Sequence, residues 1–164
     1  MNIKIKFSGK KGKGVFADRN FKKKDIILYK DYRKHKNIVE EKNIFNISEN
    51  DQNHIDYIGR KKYAIDYSAF CMVNHSCEPN SYIIYKNFLV KYLVAMRNIS
   101  KGEEICADYV LDTAGKWKMK CCCGSKRCRR TIYSNYFKLP KDLQIKYWKY
   151  VPRWKKRVLN QTRP

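Results

Sequence analysis

The chain has 164 residues, 43% of them hydrophobic, which is enough for one domain with a real core and excludes a wholly disordered chain. Lysine and arginine total 37 against 15 acidic residues, a net charge of +22, and residues 113–164 carry 16 basic residues against Asp142 alone. Such a tail favours non-specific contact with nucleic acid, although a solvated lysine-rich surface without a partner explains the composition equally well.

Residues 1–7 alternate apolar and polar side chains, which predicts a strand and not the apolar run of a signal peptide. No window approaches the roughly 18 apolar residues of a membrane helix. We therefore expect a soluble intracellular protein, cytoplasmic or nuclear, without a membrane partner. Seven cysteines in a reducing compartment indicate metal ligands or free thiols before disulfides.

Gly9, Gly12 and Gly14 lie among lysines just before the apolar residues 15–17, the pattern of a glycine loop that enters a strand. Glycine lets a backbone approach a ligand closely. A turn between two basic strands explains the same residues, so this loop alone assigns no site.

Short strand patterns separated by turns continue along the chain. They lie at residues 25–29 and 63–67, in a hairpin at 83–95 that turns near Lys86-Asn87, and at 104–109 after a turn at 100–103. Residues 31–62 are polar and weakly periodic, and their isolated His35 and His54 are more typical of solvated side chains than of a site. The strand pattern predicts a mainly β domain.

An unusual stretch lies at residues 70–80, where an apolar segment runs directly into Asn74-His75-Ser76-Cys77-Glu78-Pro79-Asn80. Asparagine favours turns and Pro79 restrains the residue before it, so a rigid loop is expected. Rigid loops carry sites. The alternative is a helix cap beside a satisfied histidine.

A cysteine cluster follows in the basic tail, where Cys121, Cys123 and Cys128 supply three thiolates on a turn. Tetrahedral zinc requires four ligands. Cys77 is the natural fourth because it lies in the rigid loop, whereas the cysteines at 71 and 106 have apolar strand contexts in which free thiols are commonly buried. The alternative is three unrelated thiols.

Residues 139–151 are the best helix candidate in the chain. Pro140 suits a first turn, Leu143, Tyr147 and Tyr150 lie near one face, and Pro152 ends the pattern. A C-terminal helix is therefore expected.

Residues 74–80, residues 102–109 with the sequence Gly-Glu-Glu-Ile-Cys-Ala-Asp-Tyr, and the cysteine cluster together resemble the SET-domain protein-lysine methyltransferases with a post-SET zinc segment. The resemblance runs from Lys11 to Cys128 and leaves residues 30–60 and 133–164 uncovered. It implies a β-clip-like fold of small sheets in which the Asn-His loop and the segment ending at Tyr109 form a pseudoknot. We divide the chain into a SET domain at 1–112, a post-SET zinc segment at 113–132 and a basic, partly helical C-terminal extension at 133–164.

The resemblance also implies a methyl donor, S-adenosylmethionine, and a protein substrate that presents a lysine. By position, Tyr109 matches the tyrosine beside the transferring methyl, and Tyr29 roughly matches a second channel tyrosine, although the usual glycine two residues later is Asp31. The cofactor-binding positions would be Lys11, Gly12, Lys13, Gly14, Tyr63, Asn74, His75 and Ile132. The zinc ligands would be Cys77, Cys121, Cys123 and Cys128.

One position departs from the family. Ala107, two residues before Tyr109, stands where relatives usually carry Phe or Tyr, a ring that limits how many methyl groups the lysine accepts. The missing ring predicts room beside the amine. A histone or another nucleic-acid-associated protein is the substrate class that the family suggests. The competing interpretation is a catalytically weak SET-fold binding module that docks chromatin or nucleic acid through its basic tail.

Overall fold

The computed structural model describes residues 2–113 and 117–161. These residues form small sheets with short helices, which confirms the predicted mainly β class with a C-terminal helix. The strands are β1 Ile3–Phe7, β2 Lys13–Ala17, β3 Ile26–Asp31, β4 Ile38–Glu40, β5 Ile55–Gly59, β6 Lys62–Ile65, β7 Asn74–His75, β8 Ser81–Asn87, β9 Val90–Ala95, β10 Glu104–Ala107, β11 Lys118–Lys120 and β12 Thr131–Tyr133. The helices are α1 Glu49–Gln52, α2 Lys141–Tyr147 and α3 Arg153–Gln161. In the described part of the chain no helix is long and apolar enough to cross a membrane.

Four sheets arise from these strands, in the orders β1-β2-β10-β7, β3-β9-β8, β4-β6-β5 and β11-β12. The pairing that positions the site is that of β7 with β10, which is parallel and aligns Cys106 with Asn74 and Ala107 with His75. The two sequence motifs, predicted to lie together, therefore meet side by side.

Of the three hydrophobic clusters among the described residues, two lie next to the paired strands β7 and β10 or the turn after them. The first, which includes Val15, Leu93 and Ile105, lies between the β1-β2-β10-β7 sheet and the β8-β9 hairpin. The second joins Val110 and Leu111, just after β10, to Ile132 of β12 and to Leu143 and Leu159 of the two C-terminal helices. Each fully buried aliphatic side chain of this kind contributes about 1.5–3 kcal/mol. The second cluster thus packs the C-terminal extension against the segment that carries Tyr109.

The polar stretch at residues 31–62 forms more structure than its sequence pattern indicates. Strands β4 and β5 pair with β6 around a small core of Tyr32, Ile58 and Ala64. Strand β4 has three residues and buries only Val39, so no periodicity can show in its sequence.

The C-terminal extension contains two helices where one was predicted. Helix α2 buries Leu143 and Tyr147 as expected and continues as a 3-10 turn to Tyr150. Pro152 then precedes α3, which the sequence pattern missed because Lys155 occupies one of its buried positions. A lysine at a core position hides the apolar face of a helix from any pattern of hydrophobic residues.

Candidate functional site

Tyr109 begins the 3-10 turn that follows β10, Tyr109–Leu111. The carboxylate of Asp108 caps this turn by accepting the Val110 N–H at 3.1 Å. The Tyr109 hydroxyl donates to the Val73 carbonyl at 2.9 Å and its backbone N–H donates to His75 Nδ1 at 3.3 Å. Burial raises the pKa of the phenol, so the side chain stays protonated. The residue is held both at its hydroxyl and at its backbone N–H.

Two cavities meet at this tyrosine. The larger, about 330 Å³, is lined by Lys11, Asn74, His75 and Met119 among others, and Tyr109 forms part of its wall. The smaller, about 190 Å³, has Tyr109 in its wall as well. A group in one cavity and a group in the other would therefore both contact the same side chain.

The glycine loop enters β2 beside the larger cavity. Gly12 has φ +74°, a conformation that side-chain-bearing residues rarely adopt, and a Cβ at Gly14 would lie 2.6 Å from Glu104 Oε1 and 2.7 Å from Asn74 Nδ2. Asn74 Nδ2 in turn donates to the Lys13 carbonyl at 3.0 Å. Both glycines are thus required for the loop to approach the Asn-His strand.

Glu104 organises this loop, a role that the sequence motif did not indicate. Its carboxylate accepts Asn74 Nδ2 at 2.9 Å and Ser8 Oγ at 2.7 Å, and it forms an ion pair with Lys11. These hydrogen bonds hold the pKa of Glu104 below its ordinary value against the effect of burial. One carboxylate therefore joins three residues that lie beside or in the cavity wall.

His75 is buried between Tyr109 and the cysteine cluster. Burial, reinforced by the charge of Arg129, lowers its pKa to about 3, so the ring is neutral at physiological pH. Nδ1 accepts the Tyr109 N–H, and Nε2 lies 3.4 Å from Cys77 Sγ and 3.4 Å from the NH2 group of Arg129. The histidine thus connects the two features through one ring.

The structure brings together the four cysteines predicted as zinc ligands. Their Sγ atoms all lie within 4.8 Å of one another, and Cys77 Sγ is 3.7 Å from Cys121 Sγ. Tetrahedral zinc with Zn–S bonds of about 2.3 Å places its sulphurs about 3.8 Å apart. Cys122 is exposed and does not belong to the group. The donor set and its spacing fit zinc.

Arg129, which the sequence analysis did not single out, ties this cluster to the tyrosine turn. Its Nε donates to Cys77 Sγ at 3.2 Å, and its NH2 group donates to both oxygens of Asp108 at 2.8 Å. Charge-assisted bonds to two oxygens of a carboxylate are strong and directional. The cap of the Tyr109 turn is therefore anchored in the cysteine segment.

The smaller cavity takes its wall from distant parts of the chain. Apolar residues line much of it, including Phe70, Val73 and Ala107, and Asp56 comes from the stretch at 31–62. The Asp56 carboxylate is held by Lys91 Nζ at 2.5 Å, a side chain without solvent exposure. No sequence signal placed a site residue in this stretch.

Six of the residues predicted to act in catalysis or to hold the cofactor do not line either cavity. Gly12, Lys13 and Gly14 belong to the loop beside the larger one, and the other three lie elsewhere. Tyr29 is half exposed on β3 and donates to Asp31 at 3.0 Å. Tyr63 lies in the separate β4-β6-β5 sheet, where its ring packs against Tyr57. Ile132 is buried in the second cluster, although its strand partner Met119 does line the larger cavity. Among the described residues the geometry gives the Tyr29 and Tyr63 assignments no support.

Parts of the chain are similar in sequence to known proteins. A curated relative from Saccharomyces cerevisiae, a histone-lysine N-methyltransferase specific for lysine 36 of histone H3, is 42% identical over 64 residues, 37% of this chain and 8% of the relative. The histone-lysine N-methyltransferase trithorax of Drosophila virilis is 44% identical over 68 residues, 40% of this chain and 2% of that protein. The chain thus spans less than a tenth of the length of either.

A solved structure of a candidate histone methyltransferase from Plasmodium falciparum superposes with a TM-score of 0.52 at 27% identity. The match covers 66% of this chain and 92% of that one. The family model of the SET domain matches residues 12–110, which is more than half of the chain. This protein belongs to the SET domain family.

Proposed function

We propose that the chain is a protein-lysine N-methyltransferase that uses S-adenosylmethionine. The observation that carries the proposal is the position of Tyr109, which forms part of the wall of two separate cavities. Two cavities that share one fixed tyrosine in their walls suit a transfer between two bound reactants, since orientation supplies much of the rate of such a reaction. The named activities of the relatives support a histone or another nucleic-acid-associated protein as the substrate.

The larger cavity fits the methyl donor in the chemistry of its wall. Asn74 and His75 line the cavity and would hold the cofactor. Lys10 places positive charge in the wall where a carboxylate could bind, whereas Lys11 already pairs with Glu104. When bound, S-adenosylmethionine supplies a methyl group on a sulfonium. The residues of the chain would bind it and orient it beside Tyr109, which also lines the neighbouring cavity.

The smaller cavity fits a lysine side chain. A lysine amine with a reference pKa of about 10.4 is protonated at neutral pH and cannot act as a nucleophile until it loses that proton. Phe70, Val73 and Ala107 give the cavity a partly apolar wall, which lowers the pKa of an ammonium group placed there, whereas Asp56 and Asp112 in the same wall attract the charged form that binds first. Because the Tyr109 phenol stays protonated, its role is to orient the amine through hydrogen bonding and not to remove the proton.

Zn²⁺ would be held by Cys77, Cys121, Cys123 and Cys128, a closed set of four thiolates. Such sites are structural and leave no open position for catalysis. Burial raises the pKa of Cys121, whereas hydrogen bonds from Ser125 lower the pKa of Cys123 against the effect of burial, which favours at Cys123 the thiolate that a metal requires.

Transfer of labelled methyl groups tests the proposed activity. The purified protein is incubated with labelled S-adenosylmethionine and histones, DNA-binding proteins or cell lysate, and modified lysines are located by mass spectrometry. Methyl-lysine on at least one protein is the expected result. Tight cofactor binding without any turnover would favour the binding-module interpretation instead.

Ala107→Tyr should stop the reaction after one methyl group, whereas the wild type should proceed further. Ala107 lies in the wall of the 190 Å³ cavity, and a phenol there would fill much of the space that the amine needs to rotate after its first methylation. Of the three aromatic residues that could fill the gap instead, only Phe70 lines this cavity; Tyr32 is held by Asp56 and Asp66, and Tyr29 is half exposed. Intact-mass spectra of a peptide with one lysine distinguish the products. A wild-type product that remains monomethylated at full conversion would show that Phe70 or another group already fills the gap.

Glu104→Gln should weaken cofactor binding by about tenfold, which corresponds to about 1.4 kcal/mol. The change keeps the shape and an oxygen that can accept Asn74 and Ser8, but it removes the charge that pairs with Lys11 and places an amide NH2 group opposite the ammonium. Calorimetry of S-adenosylmethionine binding measures the effect. Glu103→Gln is the matched control, since its carboxylate contacts Arg97 and Asn80 instead. Equal affinities of the two variants would refute the role of Glu104.

A nucleic-acid contact has a specific candidate surface, a groove of about 460 Å³ between β8 and the segment at 149–157. Of the residues that the structure describes, five with cationic side chains line it and none with a carboxylate does; they are Lys86, Lys149, Arg153, Lys156 and Arg157. A duplex binds such a surface through its phosphates, with release of counterions. A protein with a net charge of +22 repels a free basic histone tail. A nucleic acid that binds this protein and the histone at the same time would bring the two together.

Fluorescence anisotropy with a short DNA duplex tests this groove. Arg153→Glu combined with Arg157→Glu should weaken binding and reduce the salt slope by about 2, because two phosphate contacts are lost. Lys22→Glu combined with Lys23→Glu makes the same charge change at exposed residues that line neither the groove nor the cavities. Equal losses in both double variants would show that the whole surface acts non-specifically.

A further inference from the structure

A lysine from the last described helix reaches the turn that carries Tyr109. Lys155 of α3 is only 5% exposed, and its Nζ donates to the Val110 carbonyl at 2.7 Å and to the Thr113 carbonyl at 2.7 Å. Both acceptors belong to the turn or to the residues directly after it. Lys155 is thus more than 40 residues away from these acceptors in the sequence, and one of them, Val110, directly follows the candidate catalytic tyrosine.

The other hydrogen bonds of the turn show what Lys155 adds. The Tyr109 carbonyl accepts the backbone N–H and the hydroxyl of Thr113, and the N-terminal side of the turn is capped by Asp108. The carbonyls of Val110 and Thr113 lie on the C-terminal side, where cationic side chains satisfy the last acceptors of a helical turn. Lys155 supplies this second cap.

Burying an ammonium group at this place is costly. Lysine is almost never fully buried unless it is paired, and among the residues that the structure describes the hydrogen bonds of Lys155 Nζ go to two backbone carbonyls and not to a carboxylate. Burial lowers the pKa of Lys155 to about 8, and the nearby charges of Asp112 and Asp108 oppose that effect. The group is therefore still cationic at neutral pH, and its hydrogen-bonding capacity is directed at the turn. An apolar residue would fill a purely structural core position at lower cost.

The turn is consequently held by two cations from outside residues 12–110, which the family model covers. Arg129 binds the Asp108 carboxylate on one side and Lys155 binds the two carbonyls on the other. We infer that Lys155 is a positioning residue for Tyr109, and that helix α3 is for this reason a working part of the active site. The inference rests on the proposed methyl transfer where it is tested by turnover. Its test by hydrogen exchange of the turn needs only the structure.

Lys155→Met tests the inference, because methionine has similar length and shape but donates no hydrogen bond. We expect turnover to fall on the order of tenfold to a hundredfold, the cost of a small misplacement of a reacting group, while KM for the cofactor and the zinc content stay near wild type. Lys155→Arg, which retains donors, should recover part of the activity. Lys146→Met, at an exposed lysine of α2, is the matched control and should behave as wild type.

A double-mutant cycle separates positioning from general loss of stability. If Lys155 acts through Tyr109, Lys155→Met should change turnover by less than about twofold in a Tyr109→Phe background. If it only supports the fold, the two losses should multiply. Where Lys155→Met does not fold, Lys155→Gln replaces it in the same cycle, since its amide still donates but carries no charge.

Hydrogen exchange gives a readout that needs no turnover. In Lys155→Met the amides of residues 109–113 should exchange about tenfold faster than in Lys146→Met, while those of β10 stay protected. If the wild-type protein transfers no methyl groups, the proposed function is refuted. Hydrogen exchange would still decide whether Lys155 holds the turn that carries Tyr109. Unchanged exchange at 109–113, or unchanged turnover in a folded Lys155→Met protein, would overturn the inference.

Discussion

Tyr109→Phe is expected to lower methyl-transfer turnover by about tenfold or more, an increase of at least about 1.4 kcal/mol in the barrier. The phenylalanine ring keeps the wall between the two cavities but loses the hydroxyl that orients the lysine amine. The fold should survive, because only one hydrogen bond, to the Val73 carbonyl, is lost at a net cost of about 1 kcal/mol. Steady-state kinetics on a lysine peptide measures the effect, and calorimetry checks that cofactor affinity is retained.

His75→Ala should behave differently, with cofactor affinity falling first, because its ring lines only the larger of the two cavities. Tyr29→Phe tests the second tyrosine assignment, and its half-exposed position predicts turnover near wild type. Wild-type turnover in Tyr109→Phe would remove the tyrosine from the mechanism. A Tyr29→Phe loss as large as that of Tyr109→Phe would place Tyr29 in the channel after all.

Cys123→Ser should abolish binding of the single zinc expected per chain, whereas Cys122→Ser should keep it. Cys123 Sγ belongs to the group of four sulphurs within 4.8 Å of one another, and Cys122 is exposed. Structural zinc binding to thiolates is worth about 10–16 kcal/mol and is largely folding free energy. Loss of the metal should therefore loosen residues 117–133, and with them the wall of the larger cavity that Met119 and Cys123 form.

Elemental analysis and thermal unfolding of the two variants decide the zinc prediction. Neighbouring cysteines with the same substitution form a matched pair, so their difference reports ligand identity alone. If both variants lose zinc equally, the assignment of Cys123 over Cys122 is wrong. Chelation of the wild type should reproduce the Cys123→Ser phenotype, including weaker cofactor binding.

The sequence predicted those parts of the site that lie in continuous motifs. The residues at 74–77 and Tyr109 are recognisable because a rigid polar loop and a strand-ending tyrosine are local patterns, and β7 and β10 do pair. The cysteines could be grouped because zinc has a fixed ligand number. In each case a local chemical rule limits the possible partners.

Other residues became visible only through tertiary contacts. Asp56 lies in a polar stretch with short strands, Arg129 is one of many arginines in a basic tail, and Lys155 looks like part of a solvated charge run. Nothing in such a sequence distinguishes a buried lysine with two carbonyl acceptors from an exposed one. The division at 112 and 132 stays a prediction, and the second hydrophobic cluster contains residues from all three proposed parts.

The most direct test of the central proposal is tandem mass spectrometry of a peptide that contains one lysine, after incubation with the protein and S-adenosylmethionine. The geometry around Tyr109 predicts methyl groups on the Nε atom of that lysine with wild-type protein and at least tenfold slower accumulation with Tyr109→Phe. Because the substrate sequence matters, the peptide is taken from a protein that the wild type methylates in lysate. Methylation at another side chain, or none on any protein by a zinc-loaded chain that binds the cofactor, would contradict the proposal.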